Sequence, residues 1–357
     1  MIIVTGKYTT AHIMTDVVEP DVIKQVNFLC NHPLFENKKI VLQADCHPSK
    51  ATCVGLCAEI DTQHIIPQLL GNDIYCTISA FEIKGKENDW NKLDKVIKNL
   101  KIKPPKDVVS YIEALCNKHN LYEKAYINSF GTLGGGNHFC SIEQGTTGTY
   151  LIIHSGSRNL GKAIALIYSK KALKENPYKF GEEKQLSWLS PESSIQYQDD
   201  MLTLFYWVKQ SQNALAEAIC KEMKWKIQNI ISCPHNYIDL TNKILHKGSI
   251  KLAAGDKGII PINMADGTFL VFGTNTEPLL YSAPHGAGRI LKRSDAKEQL
   301  NMKEYKERMK GIHSSGVNAS TIDESPMAYK PIEEIKQAIE PYCLIMDHLK
   351  PLYNYKQ

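Results

Sequence analysis

Six side chains able to bind a metal ion or act as nucleophiles lie in short segments flanked by glycine, asparagine or proline: Asp73, Cys76, His138, His154, His235 and His285. Each one alone is also explained as a turn residue or a buried core residue. Together, one carboxylate, one thiolate and several imidazoles exceed the needs of one four-coordinate ion. Because a cysteine can bridge two metal ions, these residues favour a two-metal site. His285 is then not needed as a ligand. A thiolate beside a carboxylate suits Mn, Fe, Co or Zn better than Mg.

Two glycine-containing segments could hold an anion. Residues 131–139 read GTLGGGNHF, and three consecutive glycines indicate close backbone approach or positive φ, although a flexible surface loop is equally compatible. Residues 154–163 read HSGSRNLGKA and resemble a P-loop, but Ala163 stands where Ser or Thr would bind Mg²⁺, which excludes that motif. What remains is His154 at a strand end, Arg158 and a helix N-terminus, a combination able to hold phosphate.

His285 stands in the segment HGAGR, where small neighbours let a bulky group approach. A neutral imidazole can act as a nucleophile toward phosphorus, although a turn with an incidental histidine is the simpler alternative.

The composition limits the class of protein. The chain has 357 residues, 43% hydrophobic, with a formal net charge of +4, which permits a polyanionic partner without requiring one. No apolar run approaches the roughly 18 residues of a membrane span, and residues 1–16 lack the pattern of a secretory signal. The ten cysteines form no CxxC pair. We therefore expect a cytoplasmic protein with free, buried thiols, one or two of them metal ligands.

The elements that must position these residues alternate between short β-branched runs and helical stretches, which predicts a mixed α/β (α+β) fold. We predict strands at 39–43, 150–154, 250–253, 258–261 and 269–272, and helices at 161–175, 195–227 (one long or two packed) and 331–339. Residues 175–194 and 311–325 are polar or rich in Ser, Gly and Asn and are predicted as exposed loops. Candidate ligands lie on both sides of the first loop, which favours one domain over residues 1–357.

The segments GNDIYC, GTLGGGNHF, HSGSRNLG, PHNY and HGAGR, in this order, resemble the RtcB family of RNA-splicing ligases. The early segment ADCH and the C-terminal HLKPLYNYK resemble further elements of that family, so the similarity extends from about residue 40 to the end. The resemblance implies an RtcB-like fold with central sheets, flanking helices and a deep metal-binding cleft.

The resemblance also implies roles. Cys76 would bridge two Mn²⁺ ions, completed by Asp73 and His138 on one side and by His154 and His235 on the other. His285 would take GMP from GTP, Asp45 would be required for activity, and Arg158 would hold a phosphate. The implied guanylate pocket comprises Asn137, Asn236, Pro261, Ile262, Asn263, Met264, Thr268, Gly286, Ala287, Gly288, Tyr329 and Lys356.

The activity implied by the resemblance is ligation of RNA ends. A 3′-phosphate or 2′,3′-cyclic phosphate end would be joined to a 5′-hydroxyl end in RNA repair or tRNA splicing, with GTP as co-substrate and an archease-like activator as a possible partner. The lysine motif K-x-D-G of other ligases is absent, as a histidine nucleophile predicts. The basic residues between 292 and 310 could follow an RNA backbone or form a solvated helix face.

Some positions depart from the family pattern. Ser141 stands where the family carries a glutamate that contacts guanine, with the nearest acid at Glu143, and Ile262-Asn263 is bulkier than the family's Gly-Ser. These departures keep two alternatives open: a binuclear metal phosphoesterase that opens cyclic phosphates, and a catalytically silent RNA-binding protein.

Overall fold

The computed structural model describes residues 1–85, 88–179 and 181–356. Its fold is mixed α+β, as the sequence predicts. The strands are β1 (Ile2–Thr5), β2 (Thr10–Ile13), β3 (Ile40–His47), β4 (Val54–Glu59), β5 (Thr77–Lys84), β6 (Phe139–Gln144), β7 (Thr149–Ser155), β8 (Lys226–Pro234), β9 (Asn236–Asp239), β10 (Ile244–Lys247), β11 (Ser249–Lys251), β12 (Lys257–Asn263), β13 (Gly267–Gly273), β14 (Ser282–Pro284) and β15 (Cys343–Tyr355).

The helices are α1 (Pro20–Cys30), α2 (Trp90–Asn99), α3 (Lys106–Lys118), α4 (Lys124–Ile127), α5 (Arg158–Glu175), α6 (Pro191–Met223), α7 (Arg293–Gln299), α8 (Met302–Arg308) and α9 (Ile332–Ile339). The strands form a six-stranded sheet in the order β1-β2-β3-β4-β10-β9, a β11-β14 pair, and a seven-stranded sheet in the order β12-β13-β15-β6-β7-β5-β8.

The seven-stranded sheet is antiparallel throughout and curls until its first strand contacts its last. Alternating side chains therefore face either the interior of the curve or the helices outside it. One strand end of this sheet presents His154 at the end of β7, and β8 ends next to His235.

The long helix α6 supports that strand end. Its buried side, which includes Leu204 and Trp207, packs into the largest apolar core. Buried Gln212 on the same helix donates to the carbonyl of Thr77 at 2.8 Å and to that of Ser155 at 3.0 Å. These bonds fix the ends of β5 and β7, where two candidate ligands are attached.

Most predicted elements are confirmed, with changed bounds. The stretch 195–227 is one helix that begins four residues earlier, because Pro191 occupies its first turn and Ser190 caps it. Helix α5 begins at Arg158, three residues before the predicted start. All ten cysteines are free and buried, as expected.

The two predicted exposed loops are wrong in part. In 175–194, residues 181–186 form a 3₁₀ helix, and the side chains of Tyr178, Leu186 and Leu189 are buried in the main core. In 311–325, Asn318 caps a second 3₁₀ helix, Ala319–Glu324, whose last residues are buried. Polar composition misled the prediction because the polar groups there are hydrogen-bonded inside the protein.

Candidate metal and nucleotide site

The structure brings the five predicted metal ligands into one cluster. Nε2 of His138 lies 3.4 Å from Cys76 Sγ and 3.2 Å from Asp73 Oδ2. His154 Nε2 lies 3.1 Å from the same sulfur and 3.3 Å from His235 Nε2. Cys76 therefore contacts both His138 and His154, while Asp73 adjoins His138 and His235 adjoins His154.

The backbone around Cys76 explains how these residues meet. Tyr75 adopts a left-handed φ of 57°, which closes the turn between Asp73 and Cys76. The amide of Tyr75 donates to the carbonyl of Asn236 at 2.8 Å, and the amide of His235 donates to that of Cys76 at 2.9 Å. Two segments far apart in sequence are thus joined by main-chain hydrogen bonds.

His154 and His235 are held in one tautomer. His154 Nδ1 donates to the carbonyl of Asn137 at 3.1 Å, and His235 Nδ1 donates to that of Cys233 at 3.3 Å. Since each carbonyl only accepts, the lone pair is left on Nε2, which faces the cluster. Burial lowers the pKa of both histidines, and the neighbouring imidazoles lower it further. Both rings are therefore in the neutral form that binds metal.

The pKa values of Cys76 and Asp73 are shifted in opposite directions. Burial raises the pKa of the Cys76 thiol, and the Asp73 carboxylate raises it further. Burial is the largest influence on Asp73 and tends to raise its pKa, but the hydrogen bond and charge of His138, the hydrogen bond with Cys76 and the charge of His235 together outweigh burial, and the net pKa is lowered. A divalent cation at the cluster would favour the thiolate, which is the form that binds metal.

The donor set fits divalent cations. Ligand atoms of Cys76, His138 and His154 all lie within 4.8 Å of one another. Two nitrogen ligands about 2.05 Å from one tetrahedral ion lie roughly 3.3 Å apart, which matches the observed spacing across the cluster. Sulfur and imidazole donors with one carboxylate suit Mn, Fe, Co or Zn.

His285 lies beside this cluster. Its ring centroid is 4.8 Å from that of His235. Its Nδ1 donates to Asp45 Oδ2 at 2.7 Å, and its amide donates to the same oxygen at 3.1 Å. Asp45, fully buried on β3, thereby fixes the ring and leaves the lone pair on Nε2.

A cavity of about 640 Å³ opens over His285 and the cluster. Its wall includes four of the predicted ligands, Asp73, Cys76, His154 and His235, and does not include the buried His138. It also includes every predicted nucleotide-pocket residue: Asn137, Asn236, Pro261, Ile262, Asn263, Met264, Thr268, His285, Gly286, Ala287, Gly288, Tyr329 and Lys356. The structure therefore places these residues together, while their individual roles stay predictions.

Arg158 is not part of the cavity wall, and its Nη1 donates to His138 Nδ1 at 3.1 Å. The glycine-rich segment passes directly over it: Gly134 has φ of +90°, and an added Cβ would lie 1.8 Å from the guanidinium. Both proposed reasons for the glycines, positive φ and close approach, therefore apply at this position.

A model for the family described as "tRNA-splicing ligase RtcB" matches residues 25–125 and 114–357, which together cover most of the chain. The chain belongs to the RtcB family. It is 27% identical to RNA-splicing ligase RtcB of Escherichia coli strain K12 over 90% of each chain. It is 26% identical to RNA-splicing ligase RtcB2 of Escherichia coli strain ATCC 25922 over 95% of this chain and 93% of that one. With tRNA-splicing ligase RtcB of Aeropyrum pernix it shares 25% identity over 58% and 54% of the two chains.

One acidic residue at the cavity of this RtcB-family chain escaped the sequence interpretation. Buried Glu324 accepts from Lys356 Nζ and from the Tyr329 hydroxyl, both at 2.6 Å, and also pairs with Arg289 and Arg293. Burial alone would raise its pKa, but Lys356 and Arg293 hold the pKa below its usual value. It lies in a stretch predicted as exposed, and the only sequence signal was its position just before Pro326 and Tyr329.

Within the described part of this RtcB-family chain, none of the helices has the length and apolar character needed to cross a bilayer.

Proposed function

We propose that this RtcB-family protein is a GTP- and Mn²⁺-dependent RNA ligase that joins 3′-phosphate or 2′,3′-cyclic phosphate ends to 5′-hydroxyl ends through guanylylated His285. The proposal includes a cytoplasmic location and a role in RNA repair or tRNA splicing. The ligase names of its relatives and the arrangement of the cavity support it.

The observation that carries the proposal is the bond between His285 and Asp45. At 2.7 Å from Nδ1, Asp45 orients the ring and stabilises positive charge on it. The Nε2 lone pair is thereby available for attack on phosphorus, in a cavity lined by a metal-type donor set.

The reaction uses the chain's residues as follows. Nε2 of His285 attacks the α-phosphorus of GTP, a P–N bond forms, and the P–O bond to pyrophosphate breaks. A 2′,3′-cyclic phosphate end is first hydrolysed: water adds to phosphorus, the bond to the 2′-oxygen breaks, and a 3′-phosphate and a 2′-hydroxyl result. An oxygen of the RNA 3′-phosphate then attacks the guanylyl phosphorus and displaces His285. Finally the RNA 5′-hydroxyl attacks the activated 3′-phosphate, loses its proton, and expels GMP.

The other residues position these groups. Asp73, Cys76, His138, His154 and His235 would hold two Mn²⁺ ions, which supply charge neutralisation on the phosphate oxygens. Lys356 and Tyr329, fixed by Glu324, lie at the cavity wall where a nucleotide would bind. Lys292 and Arg293 lie at the same cavity, where an RNA phosphate backbone could approach.

The experiment is guanylylation with GTP labelled at the α-phosphate, in the presence of Mn²⁺. We expect acid-labile, alkali-stable label on the protein, and none on His285→Ala. His64→Ala, which changes a histidine outside the cavity, should label like the wild type. Asp45→Asn should label at least about tenfold more slowly, because the ring loses its charged partner.

Other outcomes would decide against the ligase. Opening of a cyclic phosphate without nucleotide, unaffected in His285→Ala, would identify a phosphoesterase instead. RNA binding without labelling or turnover, even when an archease-like protein is added, would identify a silent RNA-binding member.

A further inference from the structure

A second histidine with an available ring nitrogen lies in the same cavity as His285. His47 is the last residue of β3, two residues after Asp45, so the two side chains face the same side of that strand. Nδ1 of His47 donates to the backbone carbonyl of Asp45 at 3.0 Å. Since a carbonyl only accepts, the lone pair of the His47 ring is left on Nε2.

Asp45 therefore orients two imidazoles. Its backbone carbonyl holds His47, and its carboxylate holds Nδ1 of His285 at 2.7 Å. Both rings line the cavity, and they are close enough that positive charge on His285 lowers the pKa of His47. The cavity thus carries a free imidazole nitrogen near the histidine proposed as nucleophile.

The charges around His47 determine its protonation. Burial lowers its pKa to about 4, with smaller contributions from His285 and Arg289, although Asp45 opposes the shift. The ring is therefore neutral near pH 7, which is the form able to accept a proton. The negative charge of bound phosphates favours the protonated ring. Proton uptake by His47 consequently becomes more favourable when RNA occupies the cavity.

The other histidines of the cavity already have tasks. Among the described residues, four histidines line the wall: His47, His154, His235 and His285. In the proposed reaction His154 and His235 bind metal, and His285 attacks GTP through a lone pair. The RNA 3′-phosphate attacks as an anion, whereas the 5′-hydroxyl must lose a proton when it attacks. His47 is the wall histidine left to take that proton.

We propose that His47 is the general base of the sealing step and accepts the proton of the RNA 5′-hydroxyl on Nε2. As this O–H bond breaks, the 5′-oxygen forms its bond to the 3′-phosphorus, and the P–O bond to GMP breaks with its electron pair leaving on GMP. The His47 imidazolium then returns the proton to water. The assignment rests on the proposed ligase function and adds a proton acceptor to its last step.

The test compares two steps of the reaction in His47→Asn. The asparagine amide can still donate to the Asp45 carbonyl, but it has no basic nitrogen. We expect His285 to be labelled by GTP as in the wild type. Sealing of a 5′-hydroxyl RNA to a strand that already carries a guanylylated 3′-phosphate should slow at least about a hundredfold. His64→Asn, which changes a histidine outside the cavity, should perform both steps like the wild type.

A second variant distinguishes proton transfer from a positioning role. His47→Ala leaves space in the cavity wall, and free imidazole added to the reaction can occupy this space and accept the proton. We expect added imidazole to speed sealing by His47→Ala and to leave the wild-type rate unchanged. No effect of imidazole on His47→Ala would overturn the role of His47 as a base.

The outcomes separate this inference from the proposed function. Sealing by His47→Asn at the wild-type rate, or an equal loss of labelling and sealing, would overturn the inference, while labelling of His285 in the wild type would still support the ligase. Failure of the wild type both to label and to seal the guanylylated strand would overturn both.

Discussion

At the residue scale, the chemistry of this site depends on which atom of each side chain is already hydrogen-bonded. Carbonyl groups hold Nδ1 of His154 and His235, and the Asp45 carboxylate holds Nδ1 of His285. All three rings therefore keep the lone pair on Nε2, yet their partners differ. A carbonyl partner fixes the tautomer that a metal ligand needs, and the Asp45 carboxylate can in addition stabilise positive charge on the His285 ring.

Glu143 predicts a pH dependence of stability. Its pKa in the folded protein is about 7, raised by burial from an ordinary value of 4.5. The folded state therefore binds a proton that the unfolded state has lost between these values, and stability falls as the pH rises through that interval. Relative to Glu143→Gln, we expect the wild type to lose on the order of 3 kcal/mol of unfolding free energy between pH 4.5 and 8.

Urea unfolding of both proteins at a series of pH values, in chelator, measures this difference. A constant gap between wild type and Glu143→Gln across the range would show that the carboxyl titrates normally.

At the scale of elements, the loop after β14 holds His285 against β3. Gly288 has φ of +75°, and an added Cβ would lie 2.4 Å from the backbone oxygen of Asp45. Backbone atoms cannot move aside as a flexible side chain can. The glycine therefore sets how closely the loop bearing His285 approaches the strand bearing Asp45.

Gly288→Ala should therefore destabilise the protein by about 2 kcal/mol or more and slow guanylylation of His285. Gly311→Ala is the matched control, because Gly311 has φ of +89° but no atom lies within 4 Å of its added Cβ. Gly311→Ala should lose only about 1 kcal/mol of unfolding free energy, which is the cost of the backbone strain alone. Denaturant unfolding and the labelling rate check both, and equal losses in the two variants would mean that the close approach has no effect.

At the scale of the whole molecule, the site exists only in the folded chain. Asp45 comes from the six-stranded sheet, His285 follows β14, and His154 ends a strand of the seven-stranded sheet. Asp45 and His285 are 240 residues apart in sequence. A ligand that needs all of these elements binds the folded state alone, so it must stabilise that state.

Mn²⁺ should consequently raise the unfolding temperature, with about 2.7 kcal/mol of added stability at a hundredfold excess over its dissociation constant. Mg²⁺, which prefers all-oxygen ligands, should give a much smaller increase. His235→Ala removes one donor and should reduce the Mn²⁺ effect. Differential scanning calorimetry over a Mn²⁺ titration measures it, and identical shifts in wild type and His235→Ala would exclude this cluster as the binding site.

The sequence by itself determined the chemistry-bearing residues, the mixed fold and the family, because motif strings such as GTLGGGNHF and HGAGR are local. It also determined the main helices and strands, since hydrophobic periodicity is local as well. Only the tertiary structure decided that Ser141 hydrogen-bonds to Glu143 at the cavity wall, that Glu324 neutralises Lys356, and that residues 321–325 are buried. The burial of a residue and the identity of its partner arise from contacts between segments far apart in the chain. Local sequence patterns do not show which of these segments meet.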